Sequence, residues 1–410
     1  MENNIFSLET QKLKEIALSL KNKIDTGLCE ENTEVQCIPT FITPKTTGVN
    51  GKAVVLDLGG TNYRVAKIDF SGKEPVIHPN NGWKIDLSII KNAGFTQNDL
   101  MRNMADPIGE LNIEENMPIG YCFSYPAESL PKGDAKLLRW TKGVNINEMI
   151  GNPVGQPLLE YLNEKHQKKF TGIKVINDTV ASLFAGLADS SYDAYIGLIV
   201  GTGTNMASFV KADKVKKLDW EKLKKENSPI TPDSLIPVNL ESGNFNPPHL
   251  TNIDTIVDAL SDNRGSQRFE KAVSGMYLGE VLKAVFTTDS LEPKFDAKKL
   301  TNIINFPDAY KEKYVEAARS IYERSAKLVA ASLAGLILVL VSHDEKIKKI
   351  CLTAEGSLFW SQVKEGDCYK DIVMAELDIL LKEFGYQNIT VSAEPIENAN
   401  LIGTAVAALS

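Results

Sequence analysis

Gly-Thr-Asn occurs twice in this chain, each time at the end of an apolar run that reads as a buried strand. The first copy closes Ala53-Val54-Val55-Leu56-Asp57-Leu58-Gly59-Gly60-Thr61-Asn62, and the second closes Ile196-Gly197-Leu198-Ile199-Val200-Gly201-Thr202-Gly203-Thr204-Asn205. A strand-like pattern resumes after each, over 63–70 and 206–210. Both are therefore read as strand–turn–strand hairpins tipped with Gly, Thr and Asn. Glycine lets backbone N–H groups converge on an anion, and threonine adds a hydroxyl donor. Two such turns, one in each half of a duplicated fold, could hold one polyphosphate. The chemistry this suggests is nucleotide-dependent phosphoryl transfer.

Other phosphate motifs are absent. No Gly-x-x-x-x-Gly-Lys-Ser/Thr occurs, and Met206 stands where a dinucleotide fingerprint would need its third glycine. There is no His-Arg-Asp with Asp-Phe-Gly, so the protein-kinase signature is missing too. A single turn of this kind would also suit an ordinary tight hairpin.

A phosphotransferase acting on a hydroxyl needs a carboxylate to accept its proton. Asp178, in Asn177-Asp178-Thr179, is the candidate. The same residue could instead cap a helix starting near Val180. Glu241 and Glu270 can accept hydrogen bonds from substrate hydroxyls, while Asn177 and Asn205 can both donate and accept. Glu270 could alternatively be an exposed helical residue paired with a neighbouring lysine, and Lys142 a surface lysine in a turn. Asp57 could simply brace the Gly59-Gly60 turn.

The elements that must position these groups alternate along the chain. A helical stripe over Ile5, Leu8, Ile16, Leu20 and Ile24 opens it. Strands are expected up to about Phe70, over 118–125 and over 173–176. Helices are expected over 158–169, 180–188, 266–286 and 401–409. The helix over 266–286 should bury Phe269, Val273, Met276, Tyr277 and Leu282. A further strand is expected over 347–353. The lysine-rich stretch 211–227 reads as a solvated excursion, and Leu328–Val341 as a core helix too short to span a bilayer. This alternation favours an α/β class with a boundary near Asp178.

The length of 410 residues favours two domains. A net charge of -8 argues against nucleic acid or an anionic membrane as partner. The five cysteines form no Cys-x-x-Cys pair and do not cluster with the four histidines, so zinc is not expected. Met1-Glu2-Asn3-Asn4 carries no basic and apolar leader, and a reducing cytoplasm is the expected compartment.

In order and spacing, the chain resembles the hexokinases, sugar kinases on the duplicated actin/Hsp70-like ATPase fold. The resemblance covers nearly the whole chain. It rests on Leu56-Asp57-Leu58-Gly59-Gly60-Thr61-Asn62-Tyr63-Arg64, Phe123-Ser124-Tyr125-Pro126, Trp140-Thr141-Lys142-Gly143 and Asn177-Asp178-Thr179-Val180. It continues through Gly201-Thr202-Gly203-Thr204-Asn205, Asn239-Leu240-Glu241, Arg268-Phe269-Glu270-Lys271 and Ser274-Gly275-Met276-Tyr277-Leu278-Gly279-Glu280.

The resemblance implies an α/β fold with two duplicated, ribonuclease H-like domains flanking a central cleft. The small domain would be 48–178 with about 395–410, and the large domain 1–47 and 179–394. It implies a transfer from ATP to the 6-hydroxyl of a hexose, with Asp178 as base and Lys142 neutralising charge. Sugar contacts would be Ser124, Thr141, Lys142, Asn177, Asp178, Asn205, Glu241, Gln267 and Glu270. The nucleotide would meet Asp57, Gly59, Gly60, Thr61, Asn62, Arg64, Thr202, Gly203, Thr204, Gly356 and Ser357. Asp57 would hold Mg²⁺ through water. Two stretches depart from the family pattern: Glu355-Gly356-Ser357 replaces Asp-Gly-Ser, and Ser242-Gly243-Asn244-Phe245 follows Glu241. A kinase for an amino sugar or ketose, or a sugar sensor without turnover, are the alternative readings.

Overall fold

The computed structural model describes residues 5–45, 48–59, 62–72, 74–167, 170–287 and 295–410. Helix α1 (Thr10–Cys29) precedes a short strand β1 (Ile38–Pro39) and the first hairpin, β2 (Lys52–Leu58) and β3 (Asn62–Asp69). There follow β4 (Val76–Asp86), α2 (Gln97–Gly109), β5 (Ile119–Phe123), β6 (Ala127–Ser129), β7 (Ala135–Leu137), α3 (Gln156–His166), β8 (Ile173–Ile176) and α4 (Asp178–Ala185). The second hairpin is β9 (Ala194–Val200) and β10 (Thr204–Lys211). After it come α5 (Trp220–Lys225), β11 (Leu235–Asn239), α6 (Asn252–Leu260), α7 (Arg268–Val273), α8 (Leu278–Val285) and α9 (Ala297–Asn305). The chain closes with α10 (Glu312–His343), β12 (Lys349–Glu355), α11 (Tyr369–Glu383), β13 (Thr390–Glu394) and α12 (Ala399–Leu409).

One sheet has the order β4-β3-β2-β5-β8, and another has β1-β11-β10-β9-β12-β13. With the edge strand β1 set aside, both repeat the same topology, and each begins with a Gly-Thr-Asn hairpin. The duplication inferred from the two turns is thus present in the strand order.

The described chain packs as two compact units. One comprises Met1–Cys37, Leu198–Met206 and Leu240–Ala393; the other comprises Ile38–Gly197, Ala207–Asn239 and Glu394–Ser410. This packing does not follow a boundary at 178, because α4 is held against α12 within the second unit. Gly403 makes that approach possible: a Cβ there would lie 1.8 Å from the Ala181 carbonyl oxygen.

In the second unit, β2 is buried along nearly its whole length, as suits a central strand covered on both faces. Val54, Leu56 and Leu58 pack with α2 and α3, while Ala53 and Val55 pack with α4 and α12. β2 runs parallel to β5, and β5 parallel to β8. Their carboxyl ends therefore lie side by side, the edge at which open α/β sheets present functional groups.

In the first unit, α10 is 32 residues long and passes a length-and-composition test for a membrane span. The apolar run 328–341 is thus only part of a longer helix, so shortness does not exclude a span. However, 89% of its most apolar stretch is buried inside the protein, which makes it a core helix against α1 and α11. Two other expectations are corrected. The first helix starts only at Thr10, and Ile5 is exposed. The helix expected over 266–286 is broken into α7 and α8. Between them Gly275 N–H donates to Gly201 O at 2.7 Å and Met276 N–H to Thr202 O at 3.3 Å. The helix gives up its own ladder to brace the second turn, which leaves Met276 exposed and Tyr277 half-buried.

Helical Gly→Ala changes normally stabilise by about 1 kcal/mol. Gly403→Ala is expected to do the reverse, costing about 1–3 kcal/mol through overpacking. Gly172→Ala, which meets nothing within 4 Å, is the control and should be nearly neutral. Thermal denaturation of the two variants checks both signs.

Candidate active site

In the second unit, the ends of the parallel strands gather four of the expected residues. Asp57 lies in β2 opposite Arg64 of β3. The guanidinium donates to Asp57 Oδ2 from Nε at 2.8 Å and from Nη2 at 2.7 Å. Both contacts fall on one oxygen. Beside Asp57, Cys122 of β5 is fully buried. Ser124 follows β5, and its carbonyl accepts a hydrogen bond from Lys142 Nζ at 2.8 Å. The Lys142 ammonium also sits 5.2 Å from the centre of the Tyr125 ring.

Asn177 and Asp178 follow β8. Asn177 is the helix cap: its Oδ1 accepts from Thr179 N–H at 2.9 Å. Asp178 is the first helical residue, and its Oδ1 accepts from the same N–H at 2.8 Å. The capping role open to Asp178 is thus taken by its neighbour. Thr141 and Gly59 are half-buried, and Asn62 is exposed. Gly59 N–H donates to Asn62 O at 2.9 Å, which closes the hairpin. Gly60 and Thr61 lie outside the described residues.

In the first unit, the second turn is closed by Gly201 N–H on Gly203 O at 2.9 Å. Thr202 is its exposed residue. Thr204 is turned inward, with its hydroxyl on Ile199 O at 2.9 Å and its N–H on Glu270 Oε2 at 3.0 Å. Glu270 is half-buried and lies so close over the turn that a Cβ at Gly203 would sit 2.6 Å from Oε2. Its alternative reading as the partner of a neighbouring lysine does not hold for Lys271. That ammonium is buried and pairs with Asp258 at 2.7 Å. Asn205 Oδ1 accepts from Ser242 N–H at 3.1 Å, which ties the turn to the segment after Glu241. Gly356, at φ +109, packs against Val200 O, and Ser357 is exposed.

Three expected sugar contacts share a costly backbone state. Lys142 (φ 57), Glu241 (φ 54) and Gln267 (φ 51) are left-handed without being Gly, Asn or Asp. Such strain persists where surrounding structure over-determines it, and it clusters at functional sites. Gln267 is further held by Asn263 Nδ2, which donates to its Oε1 at 3.0 Å.

Two hexokinase family models match the chain, over residues 2–188 and 195–291. The chain belongs to the hexokinase family. It is 32% identical to a hexokinase of Kluyveromyces lactis over 68% of its own length and 59% of the relative's. It is 31% identical to hexokinase-1 of Saccharomyces cerevisiae over 69% and 59%. The chain thus spans less than two thirds of these relatives. In fold it is similar to the hexokinase of Schistosoma mansoni solved with glucose, with a TM-score of 0.75 at 24% identity, covering 99% and 96% of the two chains. The two-domain actin-like α/β fold of the family is therefore the fold of this chain.

Motif reading within the family missed three groups: Tyr125, Cys122 and the buried Asp258–Lys271 pair. Tyr125 stood inside a quoted motif, and its hydroxyl was the available signal. The other two act through burial, which residue types alone do not reveal. No group of three or more His, Cys, Asp or Glu suited to a metal occurs among the described residues. A lone strand-end carboxylate such as Asp57 fits Mg²⁺ bound mainly through water and phosphate, and does not form a protein cage.

Burial raises the pKa of Asp178 above the ordinary aspartate value. Asp57 adds to the rise, while the Lys142 ammonium and the Thr179 hydrogen bonds oppose it. Burial, and then the two carboxylates, also push the Cys122 thiol well up, so it stays protonated. A carboxyl with a raised folded value favours folding while protonated. That contribution is present at low pH and is lost as pH rises through the raised value. Asp178→Asn should therefore raise the melting temperature at pH 7, and the gain should shrink toward zero as pH falls below the raised value. Melting curves of both proteins between pH 4 and pH 8 (about the aspartate-to-neutral range) check this.

Proposed function

We propose that this chain is an ATP-dependent hexose kinase that phosphorylates the 6-hydroxyl, with Asp178 as general base. The observation that carries the reading is the Asp178 carboxylate. It stands at a strand end with a raised proton affinity, in the electrostatic reach of Lys142 and Asp57. A base whose affinity lies nearer neutrality is better matched to taking a hydroxyl proton.

In this account Asp178 accepts the proton of the 6-hydroxyl as its oxygen attacks the γ-phosphorus and ADP departs. Ser124, Thr141, Lys142 and Asn177 orient the sugar, as do Asn205, Glu241, Gln267 and Glu270. In the first turn Gly60, Thr61 and Asn62 and the Arg64 side chain would receive phosphate oxygens, while Gly59, its N–H closed on Asn62 O, shapes the turn. Thr202 and Gly203 would do so in the second turn, which Thr204 braces through Glu270 and Ile199, and Gly356 and Ser357 would border the nucleoside. Asp57 would hold Mg²⁺ through water, and the bound ion would neutralise phosphate charge. Phosphoryl transfer mainly asks the protein to position and neutralise, and this donor set is suited to both. A reducing cytoplasm is the proposed compartment, and the five cysteines form no disulfide with one another.

The test is a coupled kinase assay over glucose, mannose, fructose and glucosamine, with ATP and GTP compared. Turnover of at least one hexose is expected. Tight sugar binding with no turnover would favour the sensor reading. Asp178→Ala should lower kcat by at least ~10²-fold while sugar still binds. Glu270→Gln should raise the sugar KM strongly and leave ATP binding to the free protein nearly unchanged, because an amide accepts more weakly and brings unwanted donors. Unchanged sugar saturation in Glu270→Gln would remove that residue from the sugar set.

A further inference from the structure

Tyr125 is buried, at 3% exposure, two residues past the end of β5. Its hydroxyl donates to the Gly59 carbonyl at 2.8 Å. Gly59 is the residue whose N–H closes the first hairpin on Asn62 O. The preceding residue reinforces the link, since Ser124 N–H donates to Leu58 O at 3.2 Å. On its other side the Tyr125 ring lies beneath the Lys142 ammonium, which is also bonded to Ser124 O. Trp140 packs edge-on against the same ring at 4.7 Å, and Phe123 at 5.2 Å. Burial keeps the phenol protonated, so it remains a donor. A phenylalanine would fill this aromatic pocket equally well. The hydroxyl is there for Gly59.

We propose that Tyr125 is a positioning residue that joins the first phosphate turn to the Lys142 ammonium, its hydroxyl setting the turn and its ring supporting the cation. The inference rests on the kinase reading. It assigns separate jobs to separate atoms, so two substitutions take them apart. Tyr125→Phe removes only the hydroxyl and should loosen the turn. Tyr125→Leu removes the aromatic face as well and should disturb both the turn and Lys142.

The experiment is isothermal titration of the full chain with MgADP and, separately, with the hexose of highest turnover. Tyr125→Phe should weaken MgADP binding about fivefold, the scale of one lost net hydrogen bond, and leave hexose binding within about twofold. In turnover the same variant should raise the KM for ATP and not that for sugar. Tyr125→Leu should weaken both ligands. Unchanged MgADP affinity in Tyr125→Phe overturns the proposal. An equal loss of both ligands in that variant also overturns it, since that would be a general structural effect. A wild-type chain that phosphorylates no hexose refutes the kinase reading, and the MgADP comparison still decides Tyr125.

Discussion

Two carboxylates at neighbouring strand ends, with a buried thiol between them, set the constraint on the second unit. The Asp57 charge adds to the cost of ionising Asp178, and both carboxylates add to that of the Cys122 thiol. Each is given its own cation. Arg64 places two guanidinium hydrogens on one oxygen of Asp57, while Lys142 opposes the charge of Asp178. The parallel pairing of β2, β5 and β8 sets the arrangement, because it lines up Asp57 with Cys122 and Cys122 with Ile176, two residues before Asp178.

The two Gly-Thr-Asn turns are equivalent in topology but are braced differently. The first is held from below by the Tyr125 hydroxyl on Gly59. The second is held by Glu270 on Thr204 N–H and by Gly275 N–H on Gly201 O. In both cases a residue or segment tied to the proposed sugar contacts also steadies a proposed phosphate turn. That economy explains the strained backbone at Lys142, Glu241 and Gln267. Side chains from loops can be aimed only if the loop is fixed, and fixing it there costs a left-handed conformation.

The strands were legible because burial on both faces leaves a largely apolar run. Ile173–Ile176 is interrupted only by the half-buried Lys174, and β2 ends at Leu58, just before its glycines. The break between α7 and α8 was not legible. The apolar spacing over 266–286 is helical throughout, and only the tertiary demand of the Gly201–Thr202 carbonyls interrupts it. The helix cap shifted from Asp178 to Asn177 for a similar reason. Both residue types cap well, and only backbone geometry decides which is outside the helix. Candidate chemistry could be read from Asp57, Lys142, Asp178 and the acids at 241 and 270. The partners that hold these groups, such as Arg64 on Asp57 and Thr204 N–H on Glu270, depend on pairing across strands and segments.

The central claim is that Asp178, with its raised proton affinity, removes the sugar proton. The pH dependence of kcat/KM for the preferred hexose tests it most directly. The account predicts that activity falls on the acid side through an apparent pKa above the ordinary aspartate value of about 3.9, and that this limb is absent from the residual activity of Asp178→Asn. An acid limb at the ordinary value, or one that survives the substitution unchanged, would contradict it.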